Sequence, residues 1–271
     1  IHKEKDTEIP SYRNQYNHLM STVKCGKIQD EFIFDTGAEL STISSSFAKK
    51  MGLKIYESDV KVGSSTSITV QTKLAVADSL YVGDILFENV VFLVLPDEHL
   101  SFPSINYEIH GIIGFPVIHQ MGEIRIRKDG TLKVPFAPQS KQLENMFLEG
   151  LRPVVQLFSD NDTLLLTFDT GANKSELSKR YYEAHKDEVE RNGKLQTAQQ
   201  GGAGGIIDIE GYVLKNFSYT IGTRSNVLPE IRVLLEEFEF TKHYDGNLGQ
   251  DVFTQFNEMT LNFNHMFIDF E

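Results

Sequence analysis

Cysteine is almost missing from this 271-residue chain: Cys25 stands alone, so no intrachain disulfide can form and the redox compartment is left open. Beside the turn residue Gly26 it reads most simply as a small, partly buried side chain. Basic residues are in deficit too. Lys and Arg number 26 against 38 Asp and Glu, a net charge of −12 with no long basic run. That balance argues against a nucleic-acid surface and against binding to an anionic membrane. No apolar stretch is long enough to span a bilayer. The eight histidines show no metal-ligand spacing, and His-Glu-x-x-His is absent. No metal and no cofactor is therefore expected, and His110, His119 and His185 read as surface or packed histidines. The glycine-rich run 201–205 is followed by no Lys-Ser/Thr pair, which excludes a phosphate loop. The first residue is Ile1 with no signal-like apolar stretch after it, so a mature or trimmed chain is expected, with export to a periplasm or cell surface left open.

What the chain does have is a repeated tetrapeptide, Asp35-Thr36-Gly37-Ala38 and Asp169-Thr170-Gly171-Ala172. Any given tetrapeptide should occur on the order of once in 10^5 positions. Each copy closes an apolar, strand-like run, Glu31-Phe32-Ile33-Phe34 and Leu164-Leu165-Leu166-Thr167-Phe168. The echo continues downstream. From Asp35 to Gly111 of Gly111-Ile112-Ile113-Gly114 is 76 residues, and from Asp169 to Gly246 of Gly246-Asn247-Leu248-Gly249 is 77. Leu80-Tyr81-Val82-Gly83 answers Tyr219-Thr220-Ile221-Gly222, Phe92-Leu93-Val94-Leu95 answers Ile231-Arg232-Val233-Leu234, and both pairs are offset by 139. Such register over most of the chain points to an internal duplication, with length changes confined to loops. A lone Asp-Thr-Gly after a strand is most simply a turn; two copies in matching context point to a shared site.

The local pattern predicts strands from Tyr16 to Lys24 and Asp30 to Phe34, with a turn at Cys25-Gly26-Lys27. It repeats as strands from Pro153 to Phe158 and Thr163 to Phe168 around a turn at Asp160-Asn161-Asp162. A short helix from Ser45 to Met51 should stop at Gly52, and Ser178 should cap a longer helix from Lys179 to Arg191 ended by Asn192-Gly193. The rest is short β runs with turn punctuation, so the expected fold is mainly β: two homologous, β-barrel-like lobes with a central cleft. The expected division is an arm at 1–15, an N-terminal lobe at 16–137, a linker at 138–150 and a C-terminal lobe at 151–271. Residues 1–10, rich in charge, should form a loose arm.

A strand ending in hydrophobic-Asp-Thr-Gly-Ala, followed about 75 residues later by a hydrophobic-Gly element, resembles the aspartic proteases, and in its short unit the retroviral protease-like branch. The chain looks like two such units fused, and is similar to bacterial proteins described as retropepsin-like aspartyl proteases. The resemblance runs from about Tyr16 to the end. It implies acid-protease lobes and an aspartic endopeptidase acting on an extended peptide or protein substrate. Asp35 and Asp169 would jointly activate a water. Two carboxyls within hydrogen-bonding distance cannot both ionise cheaply, so one proton is shared. By the same resemblance Thr36 and Thr170 cross-bond the two loops. Gly37 and Gly171 remove Cβ where backbone crowds the carboxylates and permit unusual dihedrals. Ala38 and Ala172 stand where pepsin-like enzymes often carry a hydroxyl. Losing that donor should leave the dyad's pKa values higher and the pH optimum mildly acidic to near neutral. Full protonation of the carboxylates would also leave 34 positive charges from Lys, Arg and His, a poor state for a compact fold.

Two flaps are expected at equivalent places in the repeat: a hairpin over Lys61 to Val70, with Gly63, Ser64 and Ser65 at its tip, and the run Gly201, Gly202, Ala203 and Gly204. Their backbone groups could pair with an extended peptide. Neither tip carries the Tyr of the single pepsin-like flap. The run Glu236-Glu237-Phe238-Glu239 reads as a solvated edge that would repel acidic substrates if it bordered the cleft. Asn247 departs from the apolar pattern beneath the second Asp loop: either a satisfied polar residue or the mark of a lobe drifting from catalysis. With both lobes on one chain, a monomer suffices. Two alternatives stay open from sequence: a peptide-binding protein of the same fold that does not cleave, and a latent protease whose arm fills the cleft.

Overall fold

The computed structural model describes residues 1, 3–63, 69–160, 162–202 and 205–271. Its two large sheets share one strand order. In the N-terminal lobe eight strands lie in the order Ser11–Arg13, Leu19–Cys25, Ile28–Phe34, Gly111–Ile113, Ser41–Ser44, Ile85–Leu95, Lys73–Val82 and Lys54–Tyr56. A further pairing of Leu19–Cys25 with Lys73–Val82 closes the sheet on itself. The C-terminal lobe has the same order: Met146–Glu149, Arg152–Ser159, Asp162–Phe168, Gly246–Leu248, Glu176–Leu177, Arg224–Leu234, Gly205–Ile221 and Lys194–Gly202. It closes through Arg152–Ser159 against Gly205–Ile221. The fold is therefore mainly β, two homologous acid-protease lobes with a cleft between them.

In each lobe a strand running into the Asp loop is flanked in parallel by the later Gly-containing strand: Ile112 lies opposite Ile33, and Thr167 opposite Asn247. A strand in that position is covered on both faces, which is why Phe32, Ile33 and Phe34 are all buried instead of alternating. Phe87 and Phe92 pack with Phe32 and Phe34 in the first lobe, and Leu166, Phe168, Tyr219 and Val233 fill the second.

A third sheet, Thr7–Ile9, Leu132–Val134, Glu123–Arg127, Glu258–Asn262 and Phe267–Phe270, ties the lobes together. Its centre is the antiparallel pairing of Glu123–Arg127 with Glu258–Asn262, one strand from each half. Glu123 is fully buried there, held by Arg125 (2.9 Å) and Asn262 Nδ2 (2.7 Å). The start of the chain is thus not a loose arm throughout: Thr7 and Ile9 are buried in this sheet, and Lys3 Nζ donates to the carbonyls of Met121 (3.1 Å) and Pro135 (2.7 Å). The segment expected as linker also contributes a strand, Met146–Glu149, to the second lobe.

Local signals place most turns and caps. Gly26 (φ 58°) sits between Leu19–Cys25 and Ile28–Phe34, where a left-handed residue is needed, and Cys25 beside it is half-buried. Ser44 and Ser178 cap their helices by accepting from the backbone N–H of Phe47 and Tyr181. The expected long helix after Ser178 is instead two, Lys179–Ala184 and Lys186–Asn192. They break at His185 (φ −121°, ψ 25°), whose ring stacks on Tyr181 with centroids 4.2 Å apart.

Candidate active site

The two Asp loops face each other at the floor of a cleft of about 1280 Å³ between the lobes. Each loop is built the same way. The N–H of Asp35 donates to the carbonyl of Ile113 and that of Asp169 to Leu248, both at 3.0 Å, so the strand beneath fixes the loop's start. Phe115 N–H donates to Ala38 O and Gln250 N–H to Ala172 O, both at 2.8 Å, fixing its end. Between these ties the backbone turns its N–H groups onto the carboxylate. Gly37 and Ala38 donate to Asp35 Oδ1 (2.8 and 3.2 Å), and Gly171 and Ala172 to Asp169 Oδ1 (2.7 and 3.1 Å).

The loops are locked to each other by the threonines. Thr36 N–H donates to Thr170 Oγ1 and Thr170 N–H to Thr36 Oγ1, each at 3.0 Å. Thr36 Oγ1 in turn donates to the carbonyl of Phe168 (2.9 Å), and Thr170 Oγ1 to that of Phe34 (2.8 Å). Four bonds thus cross between the lobes through two buried hydroxyls, each with its donor and acceptor capacity used. Gln250 braces the arrangement: its amide donates to Thr170 O, and its carbonyl accepts from Arg13.

Gly37 and Gly171 are required for a different reason than unusual dihedrals, since neither has a positive φ. A Cβ on Gly37 would lie 2.4 Å from Asp169 Cγ, and one on Gly171 2.5 Å from Asp35 Oδ2. Each glycine is the gap through which the opposite carboxyl reaches the centre.

The two carboxyls hydrogen-bond each other. Burial, then the charge of Asp169 and the bond to it, push Asp35 well above the usual carboxylate range, against the loop N–H groups. Asp169 is raised by burial, but opposing this are the bond from Asp35, the loop N–H groups and a hydrogen bond from Asn247. Asn247 is buried, and its Oδ1 accepts from Thr167 Oγ1 (2.7 Å). It is a satisfied polar residue with its amide committed to the dyad.

Of the residues expected in the flaps, Gly63, Gly201 and Gly202 line the cleft; Ser64, Ser65, Ala203 and Gly204 lie outside the described residues. Lys61–Gly63 pairs with Thr69–Gln71, and Lys194–Gly202 with Gly205–Ile221. Beneath each hairpin is a small separate core: Val70, Leu95 and Leu100 in one lobe, Ile209, Leu234 and Phe238 in the other. Glu237 and Glu239 do border the cleft, with Phe238 buried between them. Among the described residues before Tyr16, none lines it.

Glu176 and Arg232 are among the cleft residues that sequence reasoning did not single out. Burial pushes the Glu176 carboxyl up to about 7, opposed by Arg232 and aided by the charges of Asp169 and Asp251. Glu176 follows the second Asp by seven residues in no recognisable motif, and only strand register reveals it. Among the described residues no group of His, Cys, Asp and Glu could hold a metal ion, and no helix is long and apolar enough to cross a membrane. Among curated proteins none matches the chain. Residues 21–117, which carry Asp35-Thr36-Gly37-Ala38 and the Gly111–Ile113 strand beneath it, match the family model described as aspartyl protease, and this supports the aspartyl protease family for the protein.

Proposed function

We propose that the protein is an aspartic endopeptidase whose two catalytic carboxyls, Asp35 and Asp169, come one from each copy of a duplicated unit. The observation that carries this is the pair of mutually hydrogen-bonded carboxyls on the cleft floor, held by loops that bond each other through Thr36 and Thr170. The two carboxyls share one proton and titrate as a pair; burial raises both, against the loop N–H groups. The ionised carboxyl takes a proton from a water seated between them as the water oxygen bonds to the scissile carbonyl carbon. The protonated one gives its proton to the carbonyl oxygen, producing a gem-diol. The carboxyl that took the water's proton then passes it to the amide nitrogen, while the other takes a proton back from a gem-diol hydroxyl; the C–N bond breaks, the amine leaves, the carboxyl product forms and the dyad again holds one proton. Neither metal nor covalent intermediate enters this sequence.

The substrate is an extended segment laid along the cleft beneath the two hairpins. Their backbones at Gly63, Gly201 and Gly202 offer pairing to an added strand. Both lobes belong to one chain, so a single copy suffices. The non-cleaving and latent readings draw no support from the site: both carboxyls and their donors are in place, and Thr7–Ile9 is paired in the sheet that joins the lobes.

The test is digestion of a diverse peptide mixture from pH 2 to 8, read by mass spectrometry, with wild type and Asp169→Asn side by side. Internal cuts in the wild type should fall by about 10^2–10^4-fold in the variant and peak at mildly acidic to near-neutral pH. Uncut mixtures with both proteins would sink the proposal, and a maximum near pH 2 would sink the account of the dyad's raised pKa values.

A further inference from the structure

The two walls of the cleft are built at equivalent register but with different chemistry. In the N-terminal lobe Thr42 pairs with Leu93 on one side and Ile112 on the other. In the C-terminal lobe the same three strand positions hold Glu176, Arg232 and Asn247. All six line the cleft. A mostly apolar wall therefore faces a wall with an acid, a base and an amide.

Asn247 is occupied by Thr167 and Asp169. The other two are not satisfied. Glu176 Oε2 and Arg232 Nε are both sealed from solvent and have no hydrogen-bond partner in the protein. Leaving a buried acceptor and a buried donor unmade costs about 1–3 kcal/mol each, and more where the group is charged. Such a pair, side by side in a substrate cleft, is explained if a ligand supplies the missing partners.

We propose that Glu176 and Arg232 form an amide-selective subsite, which takes a glutamine or asparagine side chain of the peptide, while the Thr42, Leu93 and Ile112 wall takes an apolar one. This rests on reading the cleft as a peptidase site. A primary amide carries its acceptor and donors on adjacent atoms: its oxygen accepts from Arg232 Nε–H, and its NH₂ donates to Glu176 Oε2. The match survives a change in Glu176's protonation, since a neutral carboxyl still offers an acceptor oxygen. A lysine side chain would satisfy Glu176 but meet the guanidinium, and a carboxylate would satisfy Arg232 but meet Glu176. An aliphatic side chain would leave both atoms orphaned, the situation in which hydrogen-bonding pockets discriminate most strongly.

The experiment is a position-scanning peptide library digested by the wild-type protein and by the double variant Glu176→Thr/Arg232→Leu, which installs the N-lobe residues. Expected is a fixed position near the wild-type cleavage sites where Gln or Asn is preferred over Leu by at least about tenfold in kcat/KM. In the double variant that preference passes to apolar residues. Wild-type cleavage with no amide preference, or with a preference for acidic or basic residues at every position, overturns the subsite while leaving the endopeptidase reading intact. A double variant that does not fold leaves the wild-type profile to decide. If the wild type cuts nothing, the endopeptidase reading fails by itself. The same library, immobilised, then decides the subsite by retention of the wild-type protein: amide-dependent retention supports it, and retention without that dependence, or none, overturns it.

Discussion

At the scale of single residues the centre is defined by what is missing as much as by what is present. Gly37 and Gly171 leave room for the opposite carboxyl, and that room is less than one methyl group wide. A Cβ at Gly37 would sit 2.4 Å from Asp169 Cγ, and the atom in its way is a short carboxyl already tied to two backbone N–H groups. Asp169 would have to move by about 1 Å to clear it, and displacements of that size at a reacting group cost roughly 10^2-fold. Gly37→Ala should therefore lower kcat/KM by about 10^2-fold or more in a peptide-cleavage assay while the circular dichroism spectrum is kept; near-wild-type activity would mean that the carboxyls do not meet as described. The tetrapeptides, and with them the dyad, were legible because everything they need is local: an apolar run, an acid, a residue with no side chain. Glu176 and Arg232 were not, because their meeting depends on the register of strands more than fifty residues apart. Asn247 could be flagged as out of pattern, but its partners Thr167 and Asp169 are known only from the fold.

At the scale of elements, the rigidity of the site depends on the strands that join the lobes. Glu123–Arg127 and Glu258–Asn262 pair over five residues, and at their end a fully buried Glu123 satisfies Arg125, Asn262 Nδ2 and the backbone N–H of Gln139. Removing that carboxylate strands a guanidinium and two further donors. Breaking a buried pair in this way costs about 3–5 kcal/mol. Glu123→Ala should thus lower Tm by about 10 °C, as read by thermal unfolding, and Glu123→Gln, which keeps an acceptor, should lose less. A melting temperature within about 2 °C of wild type for Glu123→Ala would show that the joining sheet does not depend on it. This sheet was the part of the fold least visible beforehand. Thr7–Ile9 is three residues long and finds its partner, Leu132–Val134, more than 120 residues away, so no local periodicity announces it. The helix after Ser178 failed in the opposite sense. Its sequence suits one continuous helix, and the break at His185, stacked on Tyr181, is a tertiary preference that propensity does not contain.

At the scale of the whole molecule, the site is maintained against the stability of the fold, and the cost has a pH signature. The Asp35 carboxyl is raised well above its ordinary value by burial and by Asp169. In the unfolded chain it titrates at about 3.9. Between those two values the folded protein binds more protons than the unfolded one, so stability falls as pH rises through that window. Well below its unfolded value of about 3.9 the carboxyl is protonated in both states, and this contribution vanishes. Glu176 acts in the same direction over a window from its ordinary value to about 7. The net charge of −12 adds repulsion that also grows as carboxyls ionise. Asparagine at position 35 keeps the shape and removes the titration. Asp35→Asn should therefore melt at nearly the wild-type temperature at pH 4 and several degrees above it at pH 7, a gain of about 1–3 kcal/mol in place of the activity it abolishes. Melting curves of both proteins from pH 4 to 8 test this. A gap that widens with pH is the expected result. A gap that is constant, or a variant less stable than wild type at pH 7, would mean that Asp35 is not held above its ordinary range by the cleft, and the proton-sharing pair would lose its physical basis.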